Sequence, residues 1–149
     1  MSLVTAFVNY AIRFEQAYAA DDWSLLEPCF TEDASYVVTG AGAFAGTHAG
    51  REAVLAYFRN VMNGFDRRFG RRAVEATDGP YEQAGVVKMP WVAIYKAPGA
   101  PDLRMEGEST VHFQGTRIQR LEDHIPPESG EQALRWMGEH ASKLSPPRT

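Results

Sequence analysis

Cysteine is almost missing from this chain: Cys29 is the only one among 149 residues. That excludes an intrachain disulfide and every zinc site built from several thiolates. Between Pro28 and Phe30, the single thiol reads as a small buried hydrophobe rather than a nucleophile. Basic charge is scarce too. Fifteen Lys and Arg stand against nineteen Asp and Glu, a formal net charge of -4, which argues against a nucleic-acid partner. The one local exception, Arg67, Arg68, Arg71 and Arg72, reads as a solvated helix end and turn, because cations suit a helix C-terminus. No run of about 18 apolar residues exists, so no membrane span is expected. The start, Met1 to Ala6, lacks the basic lead of a secretory signal, and a soluble cytoplasmic setting is expected. The P-loop pattern, the GxGxxG opening of a dinucleotide-binding helix, HExxH and GxSxG are all absent. His48, His112, His124 and His140 show no ligand spacing, so neither a metal nor a cofactor is expected.

What is present is a change of hydrophobic period along one chain. Residues 3 to 20 place Val4, Phe7, Val8, Ala11, Phe14, Ala17 and Tyr18 at three- and four-residue spacing, which predicts an amphipathic helix. Asp22 caps a short second helix, Trp23 to Glu27, which Pro28 stops. Ala34 to Thr39 is rich in β-branched and aromatic residues and reads as a strand, and the glycines from Gly40 to Gly50 predict a flexible loop. A third helix covers Arg51 to about Met62 and ends at Asn63-Gly64 in a left-handed cap. From there the period falls to two. Strands are expected over Arg71–Thr77, Ala84–Lys96, Leu103–Phe113 and Arg117–Ile125, separated by turns rich in Gly, Pro and Asp. Ser129-Gly130-Glu131-Gln132 reads as a capping box opening a last helix through about Leu144, followed by a frayed tail. Helices first and an antiparallel run afterwards is the α+β order. One domain, 1–149, is expected, with a core of about 5–127 and a terminal helix of about 129–144.

The segment Ile118 to Ile125 carries the most chemical information. Strand side chains alternate, so Leu121, Asp123 and Ile125 share one face, while Arg120, Glu122 and His124 share the other. A carboxylate held between Leu and Ile on a buried face loses hydration, which raises its pKa unless donors compensate. Such a group serves as a general base or acid near neutral pH; the alternative is a structural aspartate tied to neighbouring donors, or a dimer contact. His112 depends on the hairpin register. A plain two-residue turn at Gly115-Thr116 puts His112, Thr110 and Glu108 on the face of Asp123. A bulge instead turns Val111 and Phe113 inward and His112 outward, because a one-residue slip flips every side chain. The apolar count favours the bulge. Met89, Trp91 and Tyr95 alternate on a long strand and form either an aromatic pocket wall or plain core. Pro90 within that strand points to an edge or a bulge.

The order of these elements resembles the nuclear-transport-factor-2-like superfamily and, within it, the SnoaL-like group of polyketide cyclases. Three stretches carry the resemblance: Tyr18 through Phe30-Thr31-Glu32-Asp33-Ala34; Gly46 followed by Arg51 to Phe58; and Phe113 to His124. The resemblance implies a curved, mixed or antiparallel sheet wrapped round three N-terminal helices as a cone, with an added C-terminal helix, in a homodimer. It implies a small apolar ligand or substrate, with Asp123 at the last-strand position where SnoaL-like cyclases and epoxide hydrolases place a working aspartate. The ketosteroid isomerase machinery, in which a tuned aspartate base works with a Tyr and a protonated Asp, is lost here. Phe14, Val38 and Ser109 stand at its three positions. Arg104 and Glu106 are a rough echo of the epoxide hydrolase pair.

Together these readings lead to an expectation of a cofactor-independent acid–base enzyme on an apolar carbonyl compound. Asp123 and, if inward, His112 are its catalytic candidates, and Phe14, Tyr36, Tyr57, Met62 and Trp91 its walls. The alternatives are a non-catalytic binding protein using the same pocket and a dimeric assembly module. Fold alone does not choose among them.

Overall fold

A computed structural model describes residues 1–148, Ala43 by its backbone alone. Helix α1, Leu3–Ala20, opens where the Ser2 hydroxyl accepts from the Thr5 amide at 3.1 Å and closes at Asp21, in the left-handed region at φ 52°. Its buried face is Ala6, Phe7, Tyr10 and Ala17. Val8, placed on the inner stripe by spacing, is 40% exposed instead, because the face has rotated towards Tyr10 and Phe14. Asp22 caps the next segment as expected, but Trp23–Cys29 is a 3-10 helix that contains Pro28 rather than stopping before it. Helix α2, Arg51–Gly64, buries Val54, Phe58 and Met62. It runs on through Gly64 and ends at Phe65 with φ −131°, so the left-handed glycine cap is not formed.

The described residues form seven strands: β1 Phe30–Thr39, β2 Gly46–Ala49, β3 Arg71–Ala76, β4 Tyr81–Gln83, β5 Val86–Lys96, β6 Leu103–Gln114 and β7 Arg117–His124. They join one mixed sheet in the order β2-β1-β7-β6-β5-β3, with β4 also on β5. β1 lies parallel to β7 and the other pairs are antiparallel. Strand β2 falls in the stretch expected to be a flexible loop. Backbone pairing of residues 46–49 with Val38 to Ser35 holds it, a signal that side-chain type does not carry. The strand expected over Ala84–Lys96 is present from Val86 as β5, and only its first two residues form a hairpin turn instead. Ala84 and Gly85, at φ 53° and 80°, turn the chain between β4 and β5, as a two-residue hairpin loop demands. Pro90 sits where the outer edge of β5 passes from β4 to β3, so its missing N–H disturbs neither ladder.

The last hairpin decides the site. Gln114 pairs with Arg117 across Gly115-Thr116, and Phe113 pairs with Ile118. His112 then pairs with Arg120, leaving Gln119 as an extra residue, so a bulge resets the alternation. Val111 and Leu121 are thereby buried opposite each other, and Ser109 comes to face Asp123.

Helix α3, Pro127–His140, starts two residues before the expected capping box. The Ser129 hydroxyl accepts from the Glu106 amide at 3.2 Å and so ties α3 to β6 instead of capping it. The tail is not frayed where it is described. The Ser145 amide donates to the Arg68 carbonyl at 2.9 Å, and the Arg148 amide to that of Asn63 at 2.9 Å. Two apolar clusters result. One joins α1 and α2 to the sheet around Phe30, Leu26 and Val54, and the other joins α3 to β5 and β6 around Tyr95, Met105 and Trp136.

Phe30 is fully enclosed in the first cluster, whereas Val8 looks outward. Phe30→Ala is therefore expected to cost about 3–5 kcal/mol, and Val8→Ala to stay within about 0.5 kcal/mol. Urea unfolding of the two variants checks both values.

Candidate functional site

The two clusters do not meet completely, and a cavity of about 300 Å³ lies between them, lined by α1, α2 and strands β1, β3, β5, β6 and β7. Its walls are largely aromatic and aliphatic. Phe14, Tyr36, Tyr57, Met62 and Trp91, the five wall residues read from the sequence, all line it, as does Asp123.

Alternation along β7 brings Asp123 inward beside Leu121, and the register sets Ser109 of β6 opposite it on one side and Val38 of β1 on the other. The Ser109 hydroxyl donates to Oδ1 at 2.5 Å, and the Tyr36 phenol donates to Oδ2 at 2.6 Å. Behind Ser109, the Trp91 indole N–H donates to its oxygen at 3.1 Å. A side chain at Gly107 would collide with that indole, its Cβ 2.5 Å from Cζ2, so the strand must carry glycine there for Trp91 to lie as it does. Loss of hydration is the largest influence on Asp123 and pushes its carboxyl above the ordinary range. The donors Ser109, Tyr36 and Trp91 pull it back only partly, and the charge of Glu122 adds to the rise. Asp123 is still only half-buried as a residue, because it opens onto the cavity. Burial and the Asp123 charge together push the Tyr36 and Tyr10 hydroxyls well up, so both stay protonated donors.

His112 is not part of this arrangement. The bulge turns it to the exposed outer face beside Arg120, away from Asp123. Arg104 and Glu106 also lie outward and pair with each other at 3.0 Å.

A second polar group at the cavity wall was not anticipated. Asp66, buried, accepts from Arg72 Nε at 2.9 Å and from the Tyr95 phenol at 3.2 Å, while Arg72 Nη1 reaches both oxygens of Glu15 at 3.2 and 3.1 Å. Arg67 also leaves the solvated set. Its guanidinium donates to the Tyr18 carbonyl and to Asn63 Oδ1 and lies 4.1 Å from the Tyr18 ring centre. A run of arginines hides this, since only the alternation Arg72, Val74 along β3 separates an inward cation from a solvated one. Desolvation lifts Asp66 from its ordinary 3.8 to about 6, against the opposing pull of Arg72 and Tyr95. Among the described residues, no three His, Cys, Asp or Glu side chains come together as a metal cluster, and no helix is long and apolar enough to cross a membrane.

Because the folded state holds the Asp66 proton more tightly than the unfolded chain, its contribution is favourable at low pH and is lost as pH rises from about 4 through about 6. The stability of the wild type minus that of Asp66→Asn is expected to fall across this window, by up to about 3 kcal/mol. Paired urea titrations at pH 4.5 and 7.5 read the difference.

Comparison with known proteins agrees with the fold. Of solved structures, an NTF2-like protein of Burkholderia pseudomallei K96243 superposes with a TM-score of 0.66 at 15% identity, covering 91% of this chain and 98% of its own. A protein of ketosteroid isomerase-like fold from Catenulispora acidiphila DSM 44928, in complex with trimethylamine, gives 0.61 at 20% identity, covering 87% and 92%. TerC, co-crystallised with polyporic acid, gives 0.60 at 12% identity, covering 80% and 91%. At these identities the likeness shows the fold. A search of curated proteins finds no match. The SnoaL-like domain profile matches residues 11–125, from the middle of α1 to the residue after β7, and the chain therefore belongs to the SnoaL-like family of NTF2-like proteins.

Proposed function

We propose that the protein is a cofactor-independent acid–base enzyme acting on a small, mostly apolar carbonyl compound held in the cavity. The observation that carries the proposal is a carboxyl raised by burial, fixed by two short hydrogen bonds, and open to an apolar cavity. A volume of about 300 Å³ is at the lower end of ligand sites. The small molecules named with the two solved relatives support an organic occupant. The homodimer expected for the family belongs to the same proposal, with sedimentation velocity as its check.

In this reading each Asp123 oxygen keeps a lone pair beyond the one already engaged. The carboxylate takes a proton from the carbon alpha to the carbonyl, and the electron pair moves to the carbonyl oxygen as an enolate. Asp123 then returns the proton at another carbon for isomerisation. Alternatively, the enolate attacks a second carbonyl for cyclisation or expels a β-hydroxyl for dehydration, and the protonated Asp123 gives its proton to the new alkoxide or to the departing hydroxide, which leaves as water. Desolvation strengthens the base, and Ser109 and Tyr36 hold it in one orientation. The Tyr10 and Tyr57 hydroxyls line the same cavity, have no hydrogen-bond partner among the described residues, and both feel the Asp123 charge. They supply the donors for the developing enolate oxygen.

A second reading, binding without turnover, is favoured by one feature: both Asp123 oxygens already accept hydrogen bonds. Hydrogen–deuterium exchange at the alpha carbons of cyclic ketones and β-diketones in D₂O, followed by proton NMR, separates the two readings. The wild type is expected to exchange a fitting compound roughly 10²–10⁴-fold faster than Asp123→Asn. The rate should rise with pH through a limb above the ordinary aspartate range of about 4. Equal rates in the two proteins would exclude proton abstraction by Asp123, and retained ligand binding would then select the second reading.

A further inference from the structure

The cavity has a second polar end, away from Asp123. Ser109, which holds Asp123, pairs across the sheet with Met89, and Arg72 pairs with Tyr95. Those two positions on β5 are separated by about 20 Å of strand. Trp91 and Ala93 lie between them on β5 and line the cavity, as do Phe58 and Val61 of α2. A molecule reaching from one end to the other is therefore elongated and apolar along its middle.

The chemistry of the far end follows from the atoms that remain free. Arg72 is mostly enclosed, with only 11% of its side chain exposed, and lies 4.8 Å from the Tyr18 ring centre and 5.8 Å from that of Phe14. Its Nε is occupied by Asp66 and its Nη1 by Glu15. Nη2 makes no hydrogen bond among the described residues. Every fully buried side-chain nitrogen or oxygen among them has a partner, so Nη2 keeps an accessible surface. Arg72 thus offers a charged donor at the cavity wall. The two counter-ions also differ. Asp66 is sealed in, while the Glu15 side chain, also at the cavity wall, is 56% exposed. Holding the half-solvated Glu15 side chain against the guanidinium costs it rotamer freedom and hydration, which offsets much of the attraction, whereas a carboxylate on a rigid ligand meets the Nη edge of the same guanidinium in a two-toothed geometry without that ordering cost.

We propose that Arg72 recognises a carboxylate at the far end of the occupant of the cavity. The substrate class is then an elongated apolar carbonyl compound with a terminal carboxylate, and Glu15 is the exchangeable counter-ion that this carboxylate replaces. The inference rests on the reading that the cavity holds a small molecule, and not on Asp123 being a base.

The test uses a matched pair of aromatic probes, 2-naphthoate and its neutral amide 2-naphthamide, titrated calorimetrically into the full-length protein at pH 7.5. The wild type is expected to bind the carboxylate at least about tenfold more tightly than the amide. Arg72→Gln is expected to erase that preference while amide binding persists. Glu15→Gln alters an exposed side chain and leaves the fold intact; it is expected to strengthen carboxylate binding several-fold and leave the amide unchanged. Asp123→Asn is expected to keep the preference, which separates this proposal from the catalytic one. Equal binding of both probes to the wild type overturns the proposal, as does a preference that survives Arg72→Gln or disappears in Asp123→Asn. If Arg72→Gln does not fold, Glu15→Gln decides, and no gain in carboxylate affinity overturns the proposal. Failure of both probes to bind removes it together with the small-molecule reading.

Discussion

When the sheet closes over α1 and α2, the carboxyl of Asp123 loses its water and receives back two short hydrogen bonds, from Tyr36 and Ser109. The exchange is incomplete, and the carboxyl is left above the ordinary range. Much of the local structure is arranged around that imbalance. Trp91 serves to orient Ser109, and Gly107 is required so that the indole can lie where it does. Tyr36 is itself enclosed by Tyr57 and Phe58, with ring centres 5.4 and 5.2 Å away. A carboxylate in this setting has a high proton affinity and a fixed direction, the two properties a base needs at once.

The cavity exists because two hydrophobic clusters share one sheet without filling the space between them. Helices α1 and α2 pack one part of the concave face and α3 packs another. Rings and methyl groups line the seam, and polar groups gather at its ends. Asp123 stands at one end. Asp66, Arg72 and Glu15 stand at the other, where a buried acid and a mostly buried cation satisfy one another and an exposed acid completes the group. Removing either buried partner leaves an uncompensated charge, which explains why the pair persists despite the desolvation cost.

Family membership sharpens the contrast between scaffold and chemistry. The three positions at which ketosteroid isomerase-like proteins are expected to carry their machinery are Phe14, Val38 and Ser109, and all three line the cavity. None of the three carries the Tyr or Asp that such machinery needs. Ser109 is not an empty position, because it became the donor that steadies the acid on the neighbouring strand. A shared fold moves the location of a site between proteins more readily than it moves the reaction.

The helix and strand periods, the inward face of the last strand and the five wall residues were legible in the sequence, because alternation and helical spacing are local properties of the chain. Strand β2, the hairpin at Ala84-Gly85 and the continuation of α2 through Gly64 were not, because each depends on backbone pairing or packing contributed from elsewhere. Both orientations of His112 could be written down from the sequence, but only the bulge at Gln119 chose one. That bulge is set by Val111 and Leu121 burying each other across the hairpin. The ion pair of Asp66 and Arg72 was hidden inside a run of arginines for the same reason. What a side chain is determines the chemistry open to it, but water is withdrawn from it only by residues distant in the chain, so the tertiary structure decided which charges became part of a site.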